Sequence, residues 1–343
     1  MKPAILVTGG AGYIGSHTAY LASQKGYEVI IIDSFEHKQP FDHNWATCIK
    51  GDFADTTILE HVFNDYNIQA VMHFAAFIEV GESVNNPLRF YENNVVKTIK
   101  LLKTMLKHGV KKLIFSSSCA VYGKPQYLPL TEDHPKHPIS PYGKNKLIIE
   151  MALEDFQHAY GLQYVSLRYF NAAGAMPQHG LGEHHNPETH LIPLILQAAM
   201  NNKPFYVFGN DYQTEDGSCV RDYIHVMDLA EAHWLAFEYL HQANSSNCFN
   251  LGTGQGFSVK QIATVIKSNC NLTIDILHQN RRKGDPPILI ADPTKAQSIL
   301  GWQPQYSDIE QIITSAYAFE LSKKAIPKTK NIIQKSIKRN KTP

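Results

Sequence analysis

Short apolar runs alternate with amphipathic helical segments along the first half of the chain. Residues 4–7 form an apolar run that ends at a glycine-rich turn, residues 13–25 have the pattern of a helix, and residues 28–32 form a second apolar run that ends at Asp33. Strands buried on both faces of a parallel sheet have continuous apolar runs of this kind. The opening segment is therefore predicted to be a strand–helix–strand unit.

The same alternation continues further along the chain. We predict strands at residues 70–74, 112–116 and 164–167, and helices near residues 93–108 and 142–159. Repeated strand–helix units indicate an α/β fold with a doubly wound parallel sheet of the Rossmann type. In such a sheet the ligand crevice lies at the carboxyl ends of the strands.

The pattern loosens beyond about residue 172, where prolines, glycines and shorter elements become more frequent. We predict a Rossmann domain over residues 1–172 that residues 222–250 rejoin. A smaller α/β substrate-binding domain is predicted over residues 173–221 and 251–322. The last segment, 323–343, has seven lysines, one arginine and no acidic residue, and it is predicted to be a mobile basic tail.

The first turn has the residues of a dinucleotide site. Glycines stand at positions 9, 12 and 15, directly after a predicted strand and before a predicted helix. In this pattern Gly9 permits the tight turn, Gly12 lets the backbone approach a pyrophosphate, and Gly15 lets the helix pack closely on the strand. The free N–H groups at the helix N-terminus would then face the phosphates.

Asp33 and Asp52 are the candidate acids of this site. Asp33 follows Gly15 by 18 residues, close to the ~20 typical of the acid that binds the adenosine ribose. A carboxylate there favours a free 2′-hydroxyl and repels a 2′-phosphate, and no arginine is near it in sequence. The predicted cofactor is therefore NAD, not NADP. Asp52 ends another apparent strand, where it either binds the adenine or belongs to a plain surface turn.

Tyr142 and Lys146 form a candidate acid–base pair. They are four residues apart in a predicted helix, so both side chains can point from one face. An ammonium close to a phenol favours the phenolate and lowers a pKa that starts near ~10. A tyrosine tuned in this way can accept a proton from a sugar hydroxyl while the cofactor accepts hydride. The spacing alone is common, and the glycine turn is what makes it informative.

Composition narrows the function classes. The 343 residues are 43% hydrophobic and 18% charged, with a net charge of +1, so no global field favours nucleic acid or an anionic membrane. The five cysteines include no Cys-x-x-Cys, which favours reduced thiols in the cytoplasm. The chain opens directly into an apolar strand and has no apolar run of ~18 residues, so we predict no signal peptide and no membrane span.

These motifs together resemble the short-chain dehydrogenase/reductases, and the length and second domain resemble their extended, nucleotide-sugar branch. Within that branch, residues 4–320 are similar to the UDP-glucose 4-epimerase family. The resemblance implies reversible epimerisation at C4 of a UDP-hexose with retained NAD, in a homodimer. The matching segments are HFAA at 73–76, VGES at 80–83, SSSCAVYG at 116–123, LRYFN at 167–171, FGNDY at 208–212, VRDYIH at 220–225 and RRKGD at 281–285.

The resemblance also implies a role for each matching residue. Tyr142 would be the base, Lys146 would tune its pKa and bind the nicotinamide ribose, and Ser118 would share a hydrogen bond with the sugar 4-oxygen. Beside the three glycines, Asp33 and Asp52, the implied NAD contacts are Tyr13, Ile14, Phe53, Phe74, Ala75, Ala76, Asn93 and Phe170. The implied UDP-sugar contacts are Asn171, His190, Tyr206, Val207, Phe208, Arg221, Arg282, Asp285 and Leu289.

Four positions depart from the commonest pattern of that family. Ile78 replaces a lysine, Ala120 a threonine, His190 an asparagine, and Leu289 a tyrosine that closes the sugar pocket. Since leucine lacks the ring and the hydroxyl, we expect room for an N-acetyl group and measurable activity on UDP-N-acetylglucosamine as well as UDP-glucose. Differences of one or two heavy atoms shift discrimination by about 1–3 kcal/mol.

Four histidines, His179, His184, His185 and His190, fall in one predicted loop. Histidine clusters are metal-site candidates, but cysteine and acid ligands at metal-site spacing are missing from the sequence pattern. We therefore predict solvated or hydrogen-bonded loop histidines and no metal.

Several related activities are alternatives. UDP-pentose and UDP-uronate 4-epimerases share the motifs, and so do nucleotide-sugar 4,6-dehydratases. A dehydratase also removes the C5 proton and protonates the leaving 6-hydroxyl, for which it typically has an Asp-Glu pair after the serine. Here those positions are Cys119 and Ala120, and Cys119 is the candidate nucleophile for a net oxidation to an acid. The non-enzyme alternative is an NAD-sensing scaffold of the same fold.

Overall fold

The computed structural model of the chain describes residues 1–36, 43–185, 187–243, 245–282 and 285–325. The predicted basic tail therefore lies outside the described residues from position 326 onward. Its first residues differ from the prediction, because the last helix continues to Ala325 and Lys323 pairs with Glu320 on that helix. Within the described ranges, no helix combines the length and apolar character needed to cross a membrane.

Strands and helices alternate over the first half of the chain, as predicted, with small shifts at their ends. The strands are β1 (Pro3–Thr8), β2 (Glu28–Asp33), β3 (Thr47–Lys50), β4 (Asn67–His73), β5 (Lys112–Ser118), β6 (Gln163–Tyr169), β7 (Asn171–Ala173), β8 (Phe205–Phe208), β9 (Val220–Arg221), β10 (Tyr223–His225), β11 (Asn247–Leu251), β12 (Phe257–Ser258), β13 (Ile276–Gln279) and β14 (Ile288–Leu289). The helices are α1 (Tyr13–Gln24), α2 (Thr56–Asp65), α3 (Val80–Asn85), α4 (Pro87–Phe90), α5 (Lys97–Lys107), α6 (Pro141–Tyr160), α7 (Leu191–Met200), α8 (Val226–Gln242), α9 (Val259–Cys270), α10 (Thr294–Leu300) and α11 (Ile309–Ala325).

The helix predicted near 93–108 differs at its start, since Tyr91–Val96 forms a π-helical turn that leads into α5. Within this turn the Asn94 side chain accepts from the Phe77 N–H and donates to the Phe77 carbonyl, both at 2.9 Å. Wide turns of this type are frequent at functional sites because they redirect side chains. Here the turn fixes the loop that follows β4.

Seven parallel strands form the large sheet in the order β11-β6-β5-β4-β1-β2-β3. The order reverses direction beside β1, which pairs with β2 on one side and with β4 on the other. Such a switch point opens a crevice at the carboxyl ends of the strands. The predicted doubly wound Rossmann fold is confirmed, and the glycine turn after β1 lies at that crevice.

Both faces of the large sheet are buried, which explains the continuous apolar runs of its strands. In β1, Ile5 and Val7 join the core on one face, while Ala4 and Leu6 join the core on the other. Helices α1 and α8 cover the first face, and α2, α5 and α6 cover the second. The sheet is thus a rigid support for the loops at its carboxyl edge.

The large sheet and the helices packed on it are called the large body. A second body has its own apolar core. Helices α7, α9 and α11 enclose it together with the parallel pair of β8 and β13. The range predicted for the second domain also contains α10, which packs elsewhere. Leu300 and Trp302 pack in the core of the large sheet, and the Trp302 indole donates to the Asp228 carbonyl at 2.9 Å. The large body therefore takes residues from the range predicted for the smaller one, because α10 covers β11.

A buried ion pair fixes α6 against the large sheet. Arg168 on β6 donates to both carboxylate oxygens of Glu150 on α6, at 2.9 and 2.7 Å. The Ser117 hydroxyl on β5 also donates to Glu150 at 2.6 Å, and the guanidinium donates to the Tyr122 hydroxyl at 2.9 Å. The side chains of Arg168 and Glu150 are 2% and 7% exposed. Removing one partner would leave a buried charge without compensation.

We predict that Arg168→Met lowers the free energy of unfolding by about 3–5 kcal/mol, the usual cost of breaking a buried ion pair. Urea unfolding followed by circular dichroism measures it. Glu231→Gln is the control, because it removes the exposed ion pair of Lys25 and Glu231 at 3.8 Å, for which less than about 1 kcal/mol is expected. Equal losses in the two variants would contradict the assignment.

Candidate active site

One cavity of about 1000 Å³ lies at the carboxyl edge of the large sheet and continues into the second body. It brings together the predicted site residues except Lys146 and Leu289. Those on its wall are Gly9, Gly12, Tyr13, Ile14, Gly15, Asp33, Asp52, Phe53, Phe74, Ala75, Ala76, Asn93, Ser118, Tyr142, Phe170, Asn171, His190, Tyr206, Val207, Phe208, Arg221, Arg282 and Asp285.

The glycine turn has no room for side chains. Gly9 has a φ of +71°, and a Cβ there would lie 2.6 Å from the backbone nitrogen of Ala75. A Cβ on Gly15 would collide with the carbonyl oxygen of Gly9. The turn can therefore present bare backbone to a ligand at the N-terminus of α1, where the helix dipole favours phosphate.

Asp33 ends β2 beside this turn and orders the backbone around it. One carboxylate oxygen accepts from the Ala11 N–H at 3.0 Å and the other accepts from the Phe35 N–H at 2.8 Å. An arginine does approach this end of the cavity in space, which the sequence did not indicate. Arg89 pairs with Glu36 at 3.1 Å, and that second acid offsets its charge.

Asp52 pairs with Lys97, a cavity residue that sequence reasoning missed. The Lys97 ammonium lies 2.6 Å from the Asp52 carboxylate and donates to the Asn93 side chain at 3.1 Å. Lys97 could have been identified from the sequence by its spacing from Asn93, which is one helical turn. The three side chains form a linked polar group on the wall of the cavity.

The candidate acid–base residues are held by α6 and β5. The Ser140 hydroxyl caps α6 by accepting from the Gly143 N–H at 3.1 Å, and the Tyr142 N–H donates to the Ser83 hydroxyl at 3.2 Å. A Cβ on Gly143 would lie 2.5 Å from the Ala120 carbonyl oxygen. Glycine therefore lets the first turn of α6 approach the loop that begins at Ser118.

Lys146 lies behind Tyr142 and does not reach the cavity. Its ammonium donates to the Ser116 carbonyl at 2.6 Å and lies 5.7 Å from the centre of the Tyr142 ring. Burial lowers the pKa of Lys146 to about 7, against the opposing effect of Glu150. The Lys146 side chain thus lies behind Tyr142 and is held in place by the backbone of β5.

The expected lowering of the Tyr142 pKa is not produced by these side chains. Burial raises the pKa of Tyr142 above its usual range, Tyr169 adds to the rise, and the hydrogen bond with Ser118 opposes it. The sequence argument considered the neighbouring ammonium and left out the loss of water, which disfavours the phenolate more strongly here.

The other end of the cavity is basic and aromatic. Arg221 forms an ion pair with Asp285, and the Arg282 guanidinium lies over the Phe208 ring, 4.2 Å from its centre. The Asn171 side chain donates to the Asp222 carbonyl at 2.8 Å. Guanidinium groups next to an aromatic ring suit a phosphorylated ligand with a planar base.

Leu289 is placed differently from the sequence expectation. It lies in β14 in register with Arg221 and packs on a small core that includes Tyr122 and Phe170. It is not among the residues that line the cavity, so any influence on the sugar would be indirect. The expected room for an N-acetyl group at this position has no direct support in the geometry.

The histidine loop does acquire acid partners once folded. Ligand atoms of Glu183, His185 and His190 lie within 4.8 Å of one another, and Glu188 lies 2.9 Å from His190. Among the described residues this is the group whose spacing could hold a metal ion. The sequence argument missed these acids because it looked for fixed metal-site spacing.

Comparison with known proteins agrees with this geometry. The family model described as GDP-mannose 4,6 dehydratase matches residues 6–315. The UDP-glucose 4-epimerase of Halalkalibacterium halodurans is 50% identical over 315 residues, which cover 92% of this chain and 94% of that protein. That of Rhizobium leguminosarum bv. trifolii is 48% identical over 91% of this chain and 96% of its own.

Solved structures give the same result. The UDP-glucose 4-epimerase of Brucella ovis in complex with NAD has a TM-score of 0.89 and 46% identity, covering 92% of this chain and 97% of that chain. The Bifidobacterium longum enzyme in complex with NAD⁺ and UDP has a TM-score of 0.86 and 38% identity, covering 93% and 98%. The chain belongs to the UDP-glucose 4-epimerase family of the extended short-chain dehydrogenase/reductases.

Proposed function

We propose that this chain interconverts UDP-glucose and UDP-galactose by epimerisation at C4, with Tyr142 as the residue that moves the proton. The observation that carries the proposal is that Tyr142 and Ser118 line one cavity with Asp33 and with the Arg221 and Arg282 guanidiniums. A cavity with an acid for a ribose and two cations for a diphosphate can hold a dinucleotide and a nucleotide sugar together.

The cofactor is NAD, and the residues present fit it. The glycine turn leaves bare backbone at the N-terminus of α1, and the Asp33 carboxylate lies on the cavity wall beside it. When bound there, NAD would supply the hydride acceptor and donor that epimerisation at C4 requires. Asp52, Lys97 and Asn93 would line the adenosine end.

The chain's own residues handle the proton. Tyr142 as a phenolate accepts the proton of the 4′-hydroxyl and, as the resulting phenol, later returns it, and Ser118 holds the same oxygen by a hydrogen bond. Burial excludes water from this step and strengthens every charge placed near the phenol, since Coulomb interactions grow as the dielectric falls. Lys146 lies behind the phenol, and in its ammonium form it favours the phenolate.

Two alternatives lose support from the site. Cys119 and Ala120 follow Ser118, so the carboxylates that a 4,6-dehydratase needs are absent at those positions. The cavity wall includes Glu79 and Glu183, and these acids would repel the carboxylate of a UDP-uronate.

Tyr142→Phe should lower epimerase turnover by about 10²–10⁴-fold, the usual contribution of a general acid–base group. The ring remains, so binding of UDP should stay near the wild-type value, and a coupled spectrophotometric assay with calorimetry measures both. Tyr160→Phe is the matched control, because it removes an exposed hydroxyl at the far end of the same helix. Near-normal turnover in Tyr142→Phe would refute the mechanism.

Purified protein should contain NAD that was never added, and Asp33→Asn should reduce the preference for NAD over NADP by about tenfold or more, since a charged hydrogen bond to the ribose is lost. Chromatography of the extracted nucleotide and calorimetric titration measure these quantities. Asp65→Asn, an exposed change on α2, is the control. Tighter binding of NADP than NAD by wild type would overturn the role given to Asp33.

We also propose a homodimer in which α5 and α6 pair with their copies across a two-fold axis. The surface around these helices exposes several apolar side chains, which in a soluble protein favours an interface. They are Val84, Leu88, Val96, Ile148 and Met151, exposed by 61%, 67%, 49%, 37% and 58%.

Met151→Glu should convert this dimer to a monomer, because a charge would be buried in the four-helix contact. Light scattering at micromolar concentration measures the mass. Leu277→Glu places the same charge on an exposed leucine of β13 in the second body and should leave the dimer intact. A wild-type species of only 38.6 kDa would contradict the proposal.

A reducing, cytoplasmic location is the last element of the proposal. Cys119, Cys219, Cys248 and Cys270 are free thiols in the described structure. Such thiols persist in compartments where glutathione and thioredoxin keep them reduced.

A further inference from the structure

A group of acids and histidines lies outside the acid–base residues, and all of its members except Glu188 are on the cavity wall. Its members come from both bodies. Glu79 directly precedes α3 in the large body, whereas Glu183, His185, Glu188 and His190 belong to the segment before α7 in the second body. We call these five residues the Glu–His cluster.

His185 lies between two carboxylates. Its Nδ1 is 3.3 Å from Glu183 Oε1, and its Nε2 is 3.4 Å from Glu79 Oε1. A neutral imidazole donates from one nitrogen and accepts at the other, whereas an imidazolium donates from both. Two facing carboxylates therefore select the imidazolium. The adjacent carboxylates of Glu183 and then Glu79 raise the pKa of His185 to about 10.

The second-body side of the cluster is firmly held. The Lys323 ammonium on α11 donates to the Glu183 carbonyl at 2.6 Å. Glu188 accepts from the backbone N–H groups of Thr189 and His190 at 2.8 and 2.9 Å, and from His190 Nδ1 at 2.9 Å. Glu79 is thus the acid through which the large body reaches this segment.

A metal ion is the competing explanation for the cluster, since three of its ligand atoms lie within 4.8 Å. Coordination by His185 would require a lone pair on the nitrogen that faces the metal. The two carboxylates instead suit a cation between them, hydrogen-bonded to Glu183 and facing Glu79 as an ion pair. The positive charge between the acids is then the imidazolium itself.

We propose that His185, as an imidazolium between Glu79 and Glu183, ties the two bodies together across the cavity and positions the segment with His190 against the UDP-sugar. These are positioning residues. The inference rests on the proposed function, because it concerns the substrate side of the same cavity. We expect this tie to affect substrate binding, because Glu79 and His185 hold each other in place.

The test uses the holoenzyme in three variants, Glu79→Gln, His185→Gln and the double change. Each single change should raise the dissociation constant of UDP, and the KM for UDP-galactose, about tenfold, as expected when a charged hydrogen bond is lost. The value of kcat and the content of bound NAD should stay within about twofold of wild type. The double variant should be no weaker than either single variant, because both changes break one interaction.

Glu60→Gln is the matched control. It removes another acid–histidine pair, with His108 at 2.7 Å, in a place that is not on the cavity wall, and UDP binding should not change. His185→Lys keeps a cation between the two acids and should recover part of the affinity that His185→Gln loses. Bound zinc in the purified protein, with equal losses in His185→Lys and His185→Gln, would overturn the tie in favour of a metal site.

Additive losses in the double variant would also overturn the proposal, since independent residues give additive effects. Calorimetry with UDP involves no turnover, so the coupling that it measures between Glu79 and His185 does not depend on the proposed proton transfer. If Tyr142→Phe kept its activity while Glu79 and His185 remained coupled, the proposed proton transfer would fail and the tie would survive.

Discussion

The burial of one face of α6 is the constraint on which the rest of the site depends. That face carries Tyr142, Lys146 and Glu150 at successive turns, and all three are buried. A helix can keep two charges in such a place only where fixed partners replace water. The Ser116 carbonyl does so for Lys146, and Arg168 does so for Glu150. The large sheet therefore sets the position of the acid–base residues through its polar contacts as much as through its apolar core.

The same burial sets the chemistry. Loss of water raises the pKa of Tyr142 and lowers that of Lys146, so the two groups are moved towards their neutral forms. A low-dielectric site also makes any added charge more effective. The phenol is therefore most responsive to a positive group that arrives with the ligands, because burial also weakens the charge that Lys146 can supply from behind. The reactivity of Tyr142 in such a site therefore depends on whether the ligands are bound.

Local patterns made the fold and half of the site predictable. The glycine turn, Asp33 and the Tyr142–Lys146 spacing are each set within one strand–helix unit, so short-range rules were sufficient. Long-range placement was not readable in this way. Glu79 meets His185 only because two bodies face one cavity, and Leu289 does not line that cavity although its register partner Arg221 does. Resemblance supplied the residues of the UDP end, which no local pattern could have assigned.

The division of the cavity between two bodies gives the Glu–His cluster its significance. An epimerase must hold the nucleotide firmly while the hexose rotates within the site, so its strong contacts belong at the UDP end. Arg221, Arg282 and Asp285 lie in the second body and can grip a nucleotide, yet Tyr142 belongs to the large body. The distance between these nucleotide-binding residues and Tyr142 then depends on how the two bodies are joined. A tie through Glu79 and His185 would hold that distance without touching the group that must rotate.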